Sequence, residues 1–310
     1  MSRALIIGGA GFVGSRLARR LLDRGDEVHL LVRPTTSLWR IERFLDRLTI
    51  HIAEGGDLEL LSRIFAAARA DIVYYLARTA RGAEPPLKEA DALAHSAVGG
   101  LIRILRAAEA APPRVLVRAG TIAEYGDAGY PNDESVRERP VTVYGAAMLA
   151  GTHILSALAP SLPYRVANGR LALIYGPQQS TEFLIPLIVE KCLAGEPVTI
   201  NDPDSSRDFI YVDDAVRGLI ALAEMTTASA DPINLGSGRP ITMQQAADII
   251  VKAAEAPPSL IRRGEPSSAA GAKKLLLTTE RARTLAGWRA SIPFEEGISR
   301  MLHEIQSGQE

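Results

Sequence analysis

Residues 4 to 7 (Ala-Leu-Ile-Ile) form a short apolar run that breaks at glycine, after which Leu17, Leu21 and Leu22 recur at helical spacing. This pattern predicts a strand, a tight turn and a helix. Gly25 ends that helix and Val28 to Val32 reads as a second strand, which completes a βαβ unit. Further apolar strands are expected near Leu48 to Ile52, at Ile72 to Leu76 and at Val115 to Val117. Helices are expected from Leu58 to Ala68 and from about Leu87 to Ala110. Strands that alternate with helices need crossover connections, so the fold class is α/β: a doubly wound parallel sheet of the Rossmann kind.

After Gly176-Pro177 the elements shorten and are separated by Pro186, Pro197, Pro203, Pro232 and Pro240. The expected organisation is a dinucleotide-binding domain over residues 1–175, with returning segments at about 207–236. Residues 176–206 and 237–310 then form a smaller C-terminal substrate-binding cap. Hydrophobic residues at 47%, charged residues at 23% and a formal net charge of -1 supply no reason to expect a nucleic-acid or membrane partner. The single cysteine, Cys192, excludes an intrachain disulfide and any multi-cysteine metal site, and reads as a helical core residue. No His/Asp/Glu cluster has metal-ligand spacing, so no metal is expected. The N-terminus runs straight into a strand without a signal-peptide pattern, and no apolar run approaches bilayer-spanning length, which points to a cytoplasmic protein.

The glycines carry the first chemistry. Gly8-Gly9-Ala10-Gly11-Phe12-Val13-Gly14 follows a strand and opens a helix. Absent side chains at Gly8, Gly11 and Gly14 allow a tight turn and close approach of a pyrophosphate, whose charge then meets the helix N-terminus at Phe12 and Val13. The second strand ends in Leu31-Val32-Arg33, where an NAD-selective site places a carboxylate for the adenosine ribose. Val32 cannot accept those hydrogen bonds. Arg33 can pair with a 2′-phosphate, with Arg16 assisting, so NADP(H) is the expected cofactor. The plainer alternative for Arg33 is a solvated arginine at a strand end.

Together these residues resemble the extended short-chain dehydrogenase/reductases, in particular the NAD-dependent epimerase/dehydratase branch. The resemblance rests on the Gly8 to Gly14 turn, Gly56-Asp57-Leu58, Leu76-Ala77 and Thr121-Ile122-Ala123-Glu124-Tyr125-Gly126. It continues through Tyr144 and its helix, Ile174-Tyr175-Gly176-Pro177, Arg207-Asp208-Phe209-Ile210-Tyr211-Val212-Asp213-Asp214 and Asn234-Leu235-Gly236-Ser237-Gly238. It implies that Asp57 and Leu58 contact the adenine end of the cofactor, and that Leu76, Ala77, Arg78, Tyr144, Leu171 and Ile174 complete its site. It implies a dimer through the long helix and the Tyr144 helix.

In that family a Ser or Thr holds the substrate oxygen, a Tyr transfers the proton, a Lys binds the nicotinamide ribose and favours tyrosinate, and an Asn organises the relay. Carried over by position, these are Thr121, Tyr144, Met148 and Ser96. Met148 brings neither charge nor donor. A tyrosine without assistance, with a reference pKa of about 10, is almost wholly neutral at pH 7, so proton removal suffers more than proton donation. Ketone reduction therefore survives the missing lysine better than epimerisation. The acidic pair of the dehydratase subgroup is replaced by Ile122 and Ala123, which removes elimination. Glu124 reads as structural, and His95, beside Ser96, as a structural histidine. On the substrate side Leu173 replaces a family Asn that holds the nucleotide-sugar pyrophosphate, while Arg207 is retained, either for a phosphate or as a structural partner of Asp208.

The leading expectation is an NADPH-dependent ketoreductase of specialised, antibiotic-type biosynthesis. Its small-molecule ketone is of polyketide or deoxysugar type, and a phenol beside that ketone would let the substrate supply the proton. One alternative is a nucleotide-sugar 4-epimerase/4-ketoreductase in which Met148 is an inactivating substitution. The other is a catalytically silent NADP-binding protein.

Overall fold

Apolar strands flanked by amphipathic helices bury both faces of one large sheet. Its first strands are Arg3–Ile7 (β1), Glu27–Val32 (β2), Thr49–Ile52 (β3), Ile72–Tyr75 (β4) and Val115–Thr121 (β5). The remaining strands are Arg165–Leu171 (β6), Leu173–Tyr175 (β7), Val198–Ile200 (β8), Ser206–Tyr211 (β9), Pro232–Leu235 (β10), Pro240–Thr242 (β11) and Ile261–Arg263 (β12). The α-helices are Phe12–Asp23 (α1), Leu58–Ala68 (α2), Pro86–Leu93 (α3), Gly100–Ala107 (α4) and Val143–Leu158 (α5). They continue with Leu184–Ala194 (α6), Val212–Glu224 (α7), Met243–Ala253 (α8), Glu280–Ala286 (α9) and Phe294–Gln306 (α10). The computed structural model describes residues 1–77, 86–226, 230–265 and 274–308.

The main sheet has the order β10-β6-β5-β4-β1-β2-β3, and every pair in it is parallel. Alternation along β1 sends Ala4 and Ile6 into one core, with Leu17 and Leu21 of α1 and Leu219 and Leu222 of α7. Leu5 and Ile7 enter the opposite core, with Ile64 and Phe65 of α2 and Leu101 and Leu105 of α4. This is the doubly wound architecture that the alternating pattern requires. The strand order reverses between β1 and β4, and such a switch point opens a crevice for ligands at the carboxyl ends of the strands.

The cap is built differently from the expected boundaries. β7 and β9 do not join the main sheet; they pair with each other and β9 pairs with β11, in a separate sheet ordered β11-β9-β7. Of the returning segment, α7 packs in a core of the main sheet and β10 extends that sheet. A third core gathers Tyr175, Phe209, Tyr211 and Phe294 with apolar residues of α6, α8 and α10. Cys192 is buried there, as its helical surroundings suggested.

Two buried carboxylates hold cap and sheet together. Asp208 on β9 accepts the N–H groups of Ser237 at 2.8 Å, Gly238 at 3.2 Å and Leu277 at 3.3 Å. Asp214, at the start of α7, accepts the N–H groups of Ser291 and Ile292, both at 2.8 Å, and so fixes the chain just before α10.

Two further expectations change. The helix expected over 87–110 runs through α3 and α4 but contains a π-helical segment, Ala94–Gly99, and ends in a 3₁₀ turn, Ala108–Ala110. One stretch, Val143–Ser161, is long and apolar enough by length and composition to cross a bilayer, contrary to the reading that none is. Its first 16 residues are α5, which packs on β5 and the π-helical segment, so its apolar character belongs to the sheet's helical cover.

Asp214→Ala removes the acceptor of two backbone N–H groups and of Arg217. Hydrogen bonds to a charged group are worth about 1.5–3 kcal/mol each, so a clearly lower urea midpoint at unchanged m-value is expected.

Candidate active site

The glycine turn lies at the carboxyl end of β1. Gly8 has φ +89°, and a Cβ on Gly14 would fall 2.2 Å from the Gly8 carbonyl oxygen, so α1 can pack against the turn only without side chains there. Gly11 is the N-cap of α1 and provides no side-chain cap, which leaves the first-turn amides at Phe12 and Val13 for a ligand anion. A pyridine dinucleotide's pyrophosphate fits this cradle.

The other cofactor positions fall at neighbouring strand ends. Val32 is buried, and Arg33 beyond it is exposed, with its N–H bonded to the Thr36 hydroxyl at 3.1 Å and no carboxylate partner among the described residues. Asp57 caps α2 by accepting the Leu60 N–H at 2.9 Å, and Leu58 begins that helix. Leu76 and Ala77 follow β4 and are half-buried, while Arg78 lies outside the described residues. Leu171 closes β6 and is buried; Ile174, on β7, is half-buried. Arg16 departs from its expected role, because its guanidinium pairs with Glu304 of α10 on the flank of α1 that faces the cap.

The reacting groups are brought together by a close helix contact. Thr142 caps α5 by accepting the Gly145 N–H at 3.0 Å. A Cβ on Gly145 would lie 2.4 Å from the Ala123 carbonyl oxygen, so the turn of α5 that carries Tyr144 rests directly on the turn that starts at Thr121. The Thr121 hydroxyl accepts the Ala123 N–H at 3.2 Å, which orients its oxygen and leaves its proton for a substrate oxygen. The Ser96 hydroxyl donates back to the Ala92 carbonyl of α3 at 2.7 Å. His95 is exposed and meets Asp91 on its own helix, in keeping with a structural histidine.

Beneath Met148 lies a feature that sequence reasoning missed. Met148 is itself buried, and its carbonyl accepts from Arg118 Nη2 at 2.8 Å. The same guanidinium, fully buried on β5, donates from Nη1 to Thr152 at 2.9 Å and Asn168 at 3.0 Å. Glu124 lies 3.8 Å from it and also binds Arg170 Nε at 2.8 Å, and Arg170 reaches Glu138 at 2.5 Å. Burial pulls the Arg118 pKa down, against opposing pulls from Glu124, Tyr75 and Tyr144. Burial also opposes the charge of Arg170, but Glu124, Tyr125 and Glu138 outweigh it and raise its pKa. Glu124 is thus structural, as expected. The available signal was an arginine directly after the apolar strand read at Val115 to Val117, and another at the head of the apolar run Leu171-Ala172-Leu173-Ile174.

On the cap side, Leu173 is half-buried between two apolar cores. Arg207 does not bond Asp208, whose oxygens serve backbone amides. It donates to the Ser206 carbonyl at 2.9 Å, and burial lowers its pKa although Asp202 opposes this. Among the described residues no three His, Cys, Asp or Glu side chains are grouped to hold a metal.

A family model, "NAD dependent epimerase/dehydratase family", matches residues 4–236. The chain belongs to the NAD-dependent epimerase/dehydratase family. Members similar to it include UDP-glucuronate 4-epimerase 1 of Arabidopsis thaliana, 30% identical over 80% of this chain and 64% of that protein. The chain therefore spans less than two thirds of that relative's length. A probable UDP-glucuronate 4-epimerase of Rhizobium meliloti is 25% identical over 97% of this chain and 96% of its own. Among family structures, UDP-glucose 4-epimerase of Thermus thermophilus, solved with NAD, superposes with a TM-score of 0.83 at 25% identity, covering 98% of this chain and 99% of that one. This is a family of pyridine-nucleotide-dependent oxidoreductases and epimerases.

Gly145→Ala should push α5 away from Ala123 and displace Tyr144 from Thr121. Because misplacement by about 1 Å can cost 10²-fold in rate, kcat should fall strongly while cofactor affinity holds. Equal loss of both would mean that the whole domain was disturbed.

Proposed function

We propose that the protein is a 4-ketoreductase/4-epimerase of nucleotide sugars that prefers NADP(H) and works chiefly in the direction of ketone reduction. The observation that carries this reading is the contact between the Tyr144 turn and the Thr121 turn, combined with a buried methionine where the family has lysine. Two hydroxyls can hold and protonate a carbonyl oxygen as it gains negative charge. Nothing at residue 148 draws the proton off Tyr144 from the ribose side. The bound cofactor supplies the hydride; Thr121 orients the reacting oxygen, and Tyr144 donates a proton to it.

The substrate class follows from the relatives, which are named as 4-epimerases of UDP-glucuronate and UDP-glucose. They favour a nucleotide sugar over the polyketide-type ketone toward which Leu173 pointed. Arg207, a half-buried cation whose pKa is lowered by burial against the opposing pull of Asp202, suits the nucleotide phosphates when the family's Asn is replaced by Leu173. Arg33, exposed beyond the apolar Val32, supports NADP(H). A homodimer through α4 and α5 is part of the same proposal, supported by the apolar stretch from Val143 to Ser161, of which only 28% is buried. A monomeric mass in sedimentation would remove it.

A second reading, a full epimerase, is favoured by Arg118. Its cation acts on Tyr144 from below α5 and can serve part of the electrostatic role of the absent lysine.

Two measurements separate these proposals. Met148→Lys should raise epimerisation of UDP-glucuronate or UDP-glucose at least about tenfold, within the range that general acid–base assistance provides. An epimerase that is already fast and gains nothing from the lysine supports the second reading. Arg33→Ala should raise KM for NADPH about tenfold, the cost of one charge-assisted phosphate contact, and leave NADH unchanged; an unaltered cofactor preference removes the NADP(H) assignment.

A further inference from the structure

Between α1, the 3₁₀ segment Trp39–Arg47, α7 and α10 lies a cavity of about 900 Å³. Eight arginines line it against three carboxylates, in a chain whose formal net charge is only -1. Apart from Arg16, none of the candidate cofactor, catalytic or substrate residues lines it. The arginines are held in different ways. Arg16 is paired with Glu304, Arg47 with Asp23, Arg217 with Asp214 and Arg300 with Glu296, whereas Arg19 and Arg20 on α1 are exposed and have no ion-pair partner among the described residues.

Arg40 is the most constrained. It is half-buried, and it donates through Nε at 3.0 Å and Nη2 at 2.8 Å to a single backbone carbonyl, that of Gln178, while stacking 4.2 Å from the Trp39 ring. No carboxylate among the described residues pairs with it, and burial lowers its pKa. Gln178 is held at φ +65°, a left-handed conformation that is strained for a residue other than glycine. A desolvated guanidinium without a counter-charge is costly to keep. A ligand anion would offset that cost.

We infer that this arginine-lined cavity is a binding site for a small oligophosphate, separate from the dinucleotide site. Guanidinium groups match phosphate oxygens in bidentate pairs, and several converging on one cavity select a ligand with more than one phosphate. The volume lies in the range of small-molecule sites, about 300–1,000 Å³. Asp23, Asp213 and Glu304 interrupt the positive surface, which suits a compact anion better than a continuous nucleic-acid backbone. Trp39, 47% exposed at the cavity, is placed to stack on a base if the oligophosphate is carried by a nucleotide.

The test is calorimetric titration of the full chain, saturated with NADPH so that the cofactor site is filled. Tripolyphosphate is expected to bind saturably, with affinity that falls as salt rises. Arg40→Ala should weaken it about tenfold, as expected for loss of a charge-assisted contact, and Arg33→Ala should leave it unchanged. Because Arg40 also anchors Gln178, the exposed pair Arg19→Ala with Arg20→Ala provides a variant that keeps the fold and should weaken binding similarly. Equal affinities for tripolyphosphate and ATP assign the site to the phosphates alone; tighter binding of ATP that is lost in Trp39→Ala adds the base. Absence of saturable heat, affinities unchanged in both arginine variants, or tighter binding of a duplex oligonucleotide than of either small anion overturns the proposal.

Discussion

Burial of charge beneath the catalytic helix is the constraint on which the site depends. Arg118, Glu124 and Arg170 are almost wholly removed from water, and each must find its counter-charge and hydrogen bonds inside the protein. Leaving one buried charge unpaired costs about 3–5 kcal/mol. That penalty locks β5, β6, α5 and the turn after Thr121 into one arrangement. Thr152 and the Met148 carbonyl come from α5, Asn168 from β6, and Glu124 from the turn itself. The pieces that carry Thr121 and Tyr144 are thereby positioned by electrostatics as well as by packing.

The same network changes the meaning of Met148. Considered alone, a methionine at the lysine position removes a cation from the site. In the folded chain a cation is still present one layer below, on β5, bonded to the carbonyl of that methionine. The Thr121 and Tyr144 hydroxyls are retained, while residue 148 carries no cation.

Groups suited to anions occur at four places with different physics. The α1 N-terminus presents backbone amides, Arg33 and Arg207 present single guanidinium groups, and the cavity flanked by α1 and α10 presents many. Arg16 illustrates why sequence position does not assign such residues: two residues beyond Gly14 it looks suited to the cofactor, yet Glu304, far along the chain, claims it.

The linear chain determined much of this by local rules. Apolar runs broken by glycine specified β1 to β5 and the helices between them, and the glycine turn between β1 and α1 specified a place for a pyrophosphate, because both depend on side-chain period and backbone freedom. Thr121 and Tyr144 were legible as a pair through ordered motifs. What only the tertiary structure decided involves partners far apart in sequence: the separate sheet of β7, β9 and β11, and the pairing of Arg118 and Arg170 with Glu124. A buried charge does not reveal its partner in one dimension, since the partner is chosen by which strands and helices close around it.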